Sequence, residues 1–513
     1  MGFEVELKLM FAAADLEALR ADERFKALVG CGKTTAMCLR SVYFDTPDFA
    51  LSKAGIVARL RETGDRLIQT VKTPSQKGGI ALHRGEYETA VSAGTHAPRF
   101  SLLPGEIRDQ VEALVAGDPL SPIVETRVNR CEIEKTAADG GIILIAIDTG
   151  TARSGELVRP LCEIELELKS ARPASLYELA LDIVKLAPCT IGIRGKAERG
   201  FDLALGTKPG AVHASDAMVS ADMSIEAAYI AILDNCLGQF VANLPAVAEE
   251  VDPAALHQMR VSLRRLRSAL DLFSDAIRFP GLKAIEKDAQ YLARLLGRAR
   301  DLDVFLSSVL PPAEEAFPGD DGLAALRAEV RREQKHAWTH VIRTLNDRRT
   351  TRFVLRLALA LEQKSWRGKD ITPVMEPATG FAARSLDQLM KKVTSLGSNL
   401  KTLDTEDRHD LRKRLKRLRY NLSFFQAAFP AEKVQPFLAS LSRLQTLFGK
   451  LNDIAMSEAI LAHVEKGDSK PAARAGAARL RKYHHKTHDT DLKKTVKLWR
   501  EFRDVPPFWR AKS

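Results

Sequence analysis

Up to about residue 205, apolar and polar residues alternate in short runs broken by Gly and Pro, which is the period of strands with one covered face. The alternation predicts strands at 4–9, 57–61, 66–72, 84–89, 126–134, 142–148 and 161–169, and helical spacing interrupts it near 15–28, 106–114 and 174–186. Residues 1–205 therefore read as an α+β domain of mostly antiparallel strands. A Gly-, Ala- and Ser-rich stretch at 206–222 reads as a linker, and from 223 to 510 long two-faced helical segments take over.

The helical half repeats itself. His257, Arg260, Arg264, Arg265 and Arg267 recur 152 positions later as His409, Arg412, Lys416, Arg417 and Arg419. Leu296, Gly297 and Asp301 recur at the same offset as Phe448, Gly449 and Asp453. Two duplicated helical bundles, about 223–370 and 375–510, are expected.

In a strand, residues two apart share a face. Glu4, Glu6 and Lys8 lie on one side of the first strand, with Val5, Leu7 and Leu9 on the other. Arg59 and Arg61, then Arg84, Glu86 and Glu88, then Glu163, Glu165, Glu167 and Lys169 repeat the design. A solvent-facing sheet explains one such strand. Four of them, with both signs in segregated clusters, favour a sheet curled into a barrel with its charge inside, where a phosphate chain and a hard divalent cation would balance it.

The charge divides along the chain. Residues 1–208 carry a net charge of −2 and residues 209–513 one of +13, so the basic character belongs to the helical half. On a helix, His257, Arg260, Arg264 and Arg267 form a stripe opposite Leu263, Leu266, Leu270 and Phe273. His409, Arg412, Lys416 and Arg419 do the same against Leu411, Leu415, Leu418 and Leu422. A solvated face usually interleaves acids for pairing, but 257–270 contains none and 409–425 only Asp410. The stripes are therefore read as polyanion contacts.

Six scattered cysteines without C-x-x-C spacing suggest reduced thiols. No apolar run was found that approaches the roughly 20 residues of a membrane-crossing helix. Glu4 and Glu6 stand where a signal peptide would be basic and then apolar. A cytoplasmic protein without a membrane segment is the expectation.

The ordered motifs Glu4-x-Glu6-x-Lys8, Tyr43-Phe44-Asp45-Thr46-Pro47-Asp48, Leu60-Arg61-Glu62, Thr70-Val71-Lys72, Arg84-x-Glu86-x-Glu88, Asp148, Glu163-x-Glu165-x-Glu167 and Lys196-Ala-Glu-Arg-Gly resemble the CYTH, or triphosphate tunnel metalloenzyme, family across nearly all of 1–205. The resemblance implies an eight-stranded antiparallel tunnel acting on triphosphates with Mg²⁺ or Mn²⁺. Glu4, Glu6, Asp148, Glu163, Glu165 and Glu167 would serve the metal, and Arg59, Arg61, Lys72, Arg84, Arg130 and Lys196 the phosphates. Lys8 would position phosphate or the attacking water, making Lys8, Glu4 and Glu6 the expected catalytic set. Arg127 rivals Arg130 for its place, since three residues apart in a strand they face opposite ways, and Arg40 is a weaker candidate.

An organic triphosphate would favour an aromatic platform, yet all four tryptophans lie outside 1–205. Inorganic triphosphate is therefore favoured. Adenylate cyclase or organic triphosphatase activity and a non-catalytic polyphosphate-binding role are the alternatives.

The pattern H-x-x-R-x-x-x-R-R-x-R with a downstream L-G-x-x-x-D resembles the CHAD domain over about 223–510. That resemblance implies inorganic polyphosphate as partner for both stripes, and association with polyphosphate granules. Nucleic acid, the competing polyanion, is not expected.

Overall fold

The computed structural model describes every residue except 1, 31, 76–78, 216–218, 369, 399, 401, 467–469 and 511–513, and leaves aside the side chains of 2–3, 405, 450–455 and 485–493. It divides into two compact units, Met1–Gly210 with Thr344–Ser365, and Ala211–Arg343 with Trp366–Ser513. Thr344–Ser365, placed by its sequence position in the helical half, packs with the first unit.

In the first unit the strands are β1 (Gly2–Met10), β2 (Thr34–Asp45), β3 (Val57–Thr63), β4 (Arg66–Lys72), β5 (Leu82–Val91), β6 (Ser121–Thr136), β7 (Ile142–Ser154), β8 (Leu157–Leu168) and the short β9 (Thr190–Gly192). The order β5-β4-β3-β2-β6-β7-β8-β1 closes on itself through β1–β5 pairing, giving an eight-stranded antiparallel barrel. β9 adds to β1 beyond the reach of β5. A closed ring leaves few edges, and its period of two sends one side-chain set inward and the other out.

Along β1, β7 and β8 the outward set is apolar. Leu7, Leu9, Ile145, Ile164 and Leu166 expose nothing, and the helix Pro173–Leu186 packs against β1 and β8. Each such side chain contributes roughly 1.5–3 kcal/mol by burial, which fixes the charged set in the lumen.

One expected element differs. The helix expected at 15–28 is two, Ala13–Ala21 and Glu23–Val29, because Asp22 accepts the Arg24 N–H at 2.8 Å and starts a new helix. The Tyr43–Asp48 motif is the end of β2 and the turn that follows it. Asp45, fully buried, accepts the backbone N–H groups of Thr46, Leu51 and Ser52 at 2.8–2.9 Å.

The second unit is helical. Its basic stripes ride on the helices Pro253–Leu272 and Thr405–Phe425, N-capped by Asp252 and Asp404. The neighbouring helices Leu282–Val304 and Ala431–Lys466 carry the downstream motif of each repeat. Leu411, Leu415, Leu418 and Leu422 belong to an apolar cluster within the second repeat. Another cluster draws Leu302 and Leu326 together with Leu461 and Leu480, so the repeats share a core. One stretch, Ile225–Ala248, is long and apolar enough by length and composition to cross a membrane, although no such stretch was read from the sequence, and 61% of its most apolar window is buried.

Candidate functional site

The barrel's register sets opposite charges across from one another. Glu4 faces Arg84, Lys8 faces Glu165, Lys72 faces Glu86 and Arg130 faces Asp148. These side chains meet in a lumen of about 290 Å³ lined by Glu4, Glu6, Lys8, Arg59, Arg61, Lys72, Arg84, Arg130, Glu165, Glu167 and Lys196, together with Tyr43, Glu86 and Glu132. Asp148 and Glu163 are buried and pair with Lys196.

At one place the acids converge. Asp148, Glu163 and Glu165 bring carboxylate oxygens within 4.8 Å of one another, the one such grouping among the described residues. The Lys196 ammonium sits among them, 2.6 Å from Asp148 and 2.8 Å from Glu165, and also pairs with Glu163. Arg130 grips Asp148 with two hydrogen bonds of 2.8 and 2.6 Å and reaches Glu165, which pairs with Lys8 as well. Burial opposes the charge on Glu165, yet Lys196, Lys8 and Arg130 hold it well below the usual carboxylate range. Lys8 is the mirror case: burial disfavours its charge, but Glu165 and Glu6 raise it above the usual lysine value.

Glu4 and Glu6 lie apart from that trio. Glu4 accepts from Lys72 at 2.7 Å and Arg84 at 3.0 Å, while Glu6 accepts from Lys8 at 2.9 Å and pairs with Arg84. Glu167 pairs with Lys169; burial, with Glu4 and Glu86 as like charges, raises its pKa.

On the opposite wall the cations are unevenly compensated. Arg61 donates to Ser41 Oγ at 3.2 Å, and among the described residues no carboxylate pairs with it. Burial, with Arg59 and Arg130 nearby, lowers its guanidinium to about 10. Arg59 meets Glu86 at 3.5 Å and Glu88 at 3.6 Å, and its buried Nε has no hydrogen-bond partner among the described residues. Burial and the neighbouring Arg59 and Arg84 likewise lower Lys72. An enclosed guanidinium without an ion-paired carboxylate, as at Arg61, suits an anion, and oxygen ligands in a buried trio suit a hard divalent cation.

Arg130, not Arg127, enters the lumen; Arg127 points out to Glu125, which Arg40 also grips along with Glu62. Three lumen partners had no assigned role in the sequence reading. Arg199 pairs with Glu163, and its position one helical turn beyond Lys196 was the available signal. Glu86 pairs with Lys72 at 2.8 Å, and its parity with Arg84 pointed inward. Glu132 shares the parity of Arg130 and approaches it at 3.5 Å.

In the second unit the two stripes face one another. His257 of the first repeat is half-buried, and burial, with Arg300, Arg264, Arg260 and Lys416 of the second repeat, lowers its pKa to about 4. Asp301 lies 3.5 Å from Arg260, and burial raises its pKa against the pull of Arg260, Arg298, Arg412 and Arg264. Gly297 makes room for this pair, since a Cβ there would stand 2.5 Å from Arg260 Nη1. Arg264 lies over the Tyr420 ring at 6.0 Å. The outer members diverge: Arg267 neighbours Arg294, and Arg419 donates to Gln445 at 3.3 Å. His409, the first member of the second stripe, is exposed. Asp453 lies outside the described side chains. Arg265 is buried, donating to Gln239 at 3.1 Å, whereas its counterpart Arg417 is exposed and pairs with Asp271.

Residues 2–199 match the CYTH domain family and residues 231–462 the CHAD domain family. The chain is a CYTH domain followed by a CHAD domain. A Mycobacterium tuberculosis protein is 25% identical over 483 residues, covering 88% of this chain and 87% of its own. An inorganic triphosphatase from Haemophilus influenzae is 28% identical over 177 residues, which is 33% of this chain and 46% of that protein. The CHAD domain structure from Ricinus communis aligns with a TM-score of 0.51 at 29% identity, covering 58% of this chain and 99% of that one. CYTH proteins are metal-dependent triphosphatases and cyclases, and the trio Asp148, Glu163 and Glu165 is an acidic cluster able to take a metal.

Proposed function

We propose that the CYTH domain hydrolyses inorganic triphosphate to pyrophosphate and phosphate with Mg²⁺ or Mn²⁺, and that the CHAD domain binds inorganic polyphosphate along its facing stripes. The observation that carries the catalytic reading is the division of one lumen into a carboxylate trio and a cation wall containing Arg61, which has no acidic partner among the described residues. A metal ion and a phosphate chain would complete both halves at once. The Haemophilus relative supports inorganic triphosphate as the substrate.

Arg59, Arg61, Lys72 and Arg84 hold the phosphoryl oxygens, and the carboxylates Asp148, Glu163 and Glu165 face the cation, with Glu4, Glu6 and Glu167 completing the acidic lining. A bound divalent ion supplies charge neutralisation at the transferring phosphoryl group and lowers the pKa of a bound water. Lys8 keeps its proton at neutral pH, so it orients phosphate or water by donating hydrogen bonds and does not act as the base. Arg130, Lys196 and Arg199 hold the trio in place, and a divalent cation held by the trio would compete with Lys196 for its carboxylates.

Purified protein is expected to release one phosphate per triphosphate with Mg²⁺ or Mn²⁺ and to stop on chelation with EDTA. ATP incubated in parallel is checked for a cyclic product. A folded, metal-supplied protein inert towards triphosphate would overturn the reading.

The CHAD groove carries a pH prediction. His257 is neutral at pH 7, because its free-state pKa is lowered to about 4 by burial and basic neighbours. A bound polyanion supplies negative charge and raises that pKa, so binding takes up a proton and affinity for long polyphosphate increases as pH falls from 7 towards 5. Calorimetric titrations across that range should show the increase in the native protein and a flatter profile in His257→Gln. Equal slopes for the two proteins would remove His257 from the contact.

A further inference from the structure

The helix Arg348–Gln363 comes from the middle of the helical half of the sequence, yet it packs against the helix Pro173–Leu186 and β9 in the first unit. Polar contacts concentrate in its first turn. Arg348 donates to the carbonyls of Lys185 at 3.1 Å and Leu186 at 3.0 Å. These are among the last four carbonyls of the Pro173–Leu186 helix, which have no partner within it, and a cation there also complements the helix dipole. One turn on, the buried Thr351 hydroxyl donates to the carbonyl of Cys189. At the far end Gln363 donates to Glu178 at 2.7 Å.

The backbone held in this way leads straight into the lumen. Cys189 is followed by β9, whose three residues pair with Met10, Leu9 and Lys8 of β1. Gly192 sits opposite Lys8 so closely that a Cβ would come within 2.7 Å of the Met10 sulfur and 3.2 Å of the Lys8 Cβ. The next helix, Lys196–Leu205, carries Lys196 and Arg199 to the carboxylate trio. A three-residue strand has too few ladder hydrogen bonds to fix its own place, so what grips its ends decides where it lies.

We propose that the Arg348–Gln363 helix is a positioning brace of the tunnel: by holding the backbone at 185–189 it fixes β9, and through β9 the ammonium groups of Lys8 and Lys196. Thr351 and Arg348 are positioning residues that touch no substrate. The tunnel of this chain is thus braced by a segment that begins 156 residues beyond the end of its last strand, β9.

The test uses the full chain and the variants Thr351→Val, Thr351→Ser and Arg348→Gln. Amide hydrogen exchange across 189–196 should run about tenfold faster in Thr351→Val, about threefold faster in Arg348→Gln, and near the native rate in Thr351→Ser. Amides across 257–267 should keep their rates. The KM for tripolyphosphate should rise about fivefold in Thr351→Val with kcat changing less, and Thr351→Ser should restore it. Native exchange at 189–196 in both Thr351→Val and Arg348→Gln overturns the brace, and so does faster exchange with an unmoved KM. The kinetic arm rests on the triphosphatase reading, whereas the exchange arm does not. An inactive native protein would sink that reading and leave the exchange result to judge the brace.

Discussion

Replacing Glu165 with glutamine is expected to cut metal-dependent triphosphate turnover by about 1000-fold or more and to lower the melting temperature. Glu165 is the carboxylate on which Lys8, Arg130 and Lys196 all converge. It also supplies one oxygen of the trio that could hold a cation. Glutamine keeps the shape but offers one neutral carbonyl in place of a charged pair of oxygens. A metal held by the trio would lose a ligand, and the developing charge on the phosphoryl group would lose stabilisation that is worth several kcal/mol in an enclosed site. Breaking a buried ionic network costs about 3–5 kcal/mol, because the cations left behind remain desolvated.

The pH dependence separates lost catalysis from lost folding. The folded-state pKa of Glu165 lies well below its usual value, so its contribution to stability is present above about 4.5 and is lost as pH falls towards the folded value. Urea titrations at pH 7 and pH 4 should show native stability dropping more steeply on acidification than that of Glu165→Gln. Phosphate release at pH 7, where the variant is still folded at low temperature, then reads catalysis alone. Turnover within tenfold of native would remove Glu165 from the metal site.

Much of the tunnel was legible because period two is strict where charge is placed. Over 4–9 of β1 and 163–168 of β8 every second residue is charged and the residues between are aliphatic, so the parity of Glu4, Glu6, Lys8, Glu163, Glu165 and Glu167 can be read directly. β2 escaped the same reading. Its first half, Thr34 to Leu39, has no clean alternation, and the residues it offers the lumen, Ser41 and Tyr43, are uncharged. β9 is shorter than any period can show.

Other features depend on packing that no local pattern encodes. Lys196 was assigned to phosphate from its motif, but its place among three carboxylates follows from how its helix docks on the barrel. The offset of 152 announced a duplication without showing that the stripes face each other; Lys416 beside His257 is a product of the fold. The helix Arg348–Gln363 has the same amphipathic pattern whichever unit it joins.

Replacing both Arg260 and Arg412 with glutamine is expected to weaken long-chain polyphosphate binding by about 100-fold or more while leaving triphosphate turnover unchanged. The two positions are equivalents in the repeat, and both act on Asp301, so they reach one place from opposite helices. Each charge-assisted hydrogen bond to a phosphate contributes about 1.5–3 kcal/mol, and two such losses multiply. Fewer neutralised phosphates also release fewer counterions, so the slope of log affinity against log salt should become shallower by roughly 1–2 units. Asp301 supplies the discriminating control. It lies 3.5 Å from Arg260, where an incoming phosphate would have to compete with it. Asp301→Asn removes that competitor and should tighten polyphosphate binding severalfold, with the salt slope preserved. If the stripes were ordinary solvated faces, neither change would move affinity by more than a small factor, because exposed charges far from a ligand are screened within about 10 Å at 0.1 M salt. Fluorescence-detected binding of the full chain to labelled polyphosphate at several salt concentrations separates these outcomes, and an unaltered affinity in Arg260→Gln/Arg412→Gln would discard the groove as the polyphosphate site.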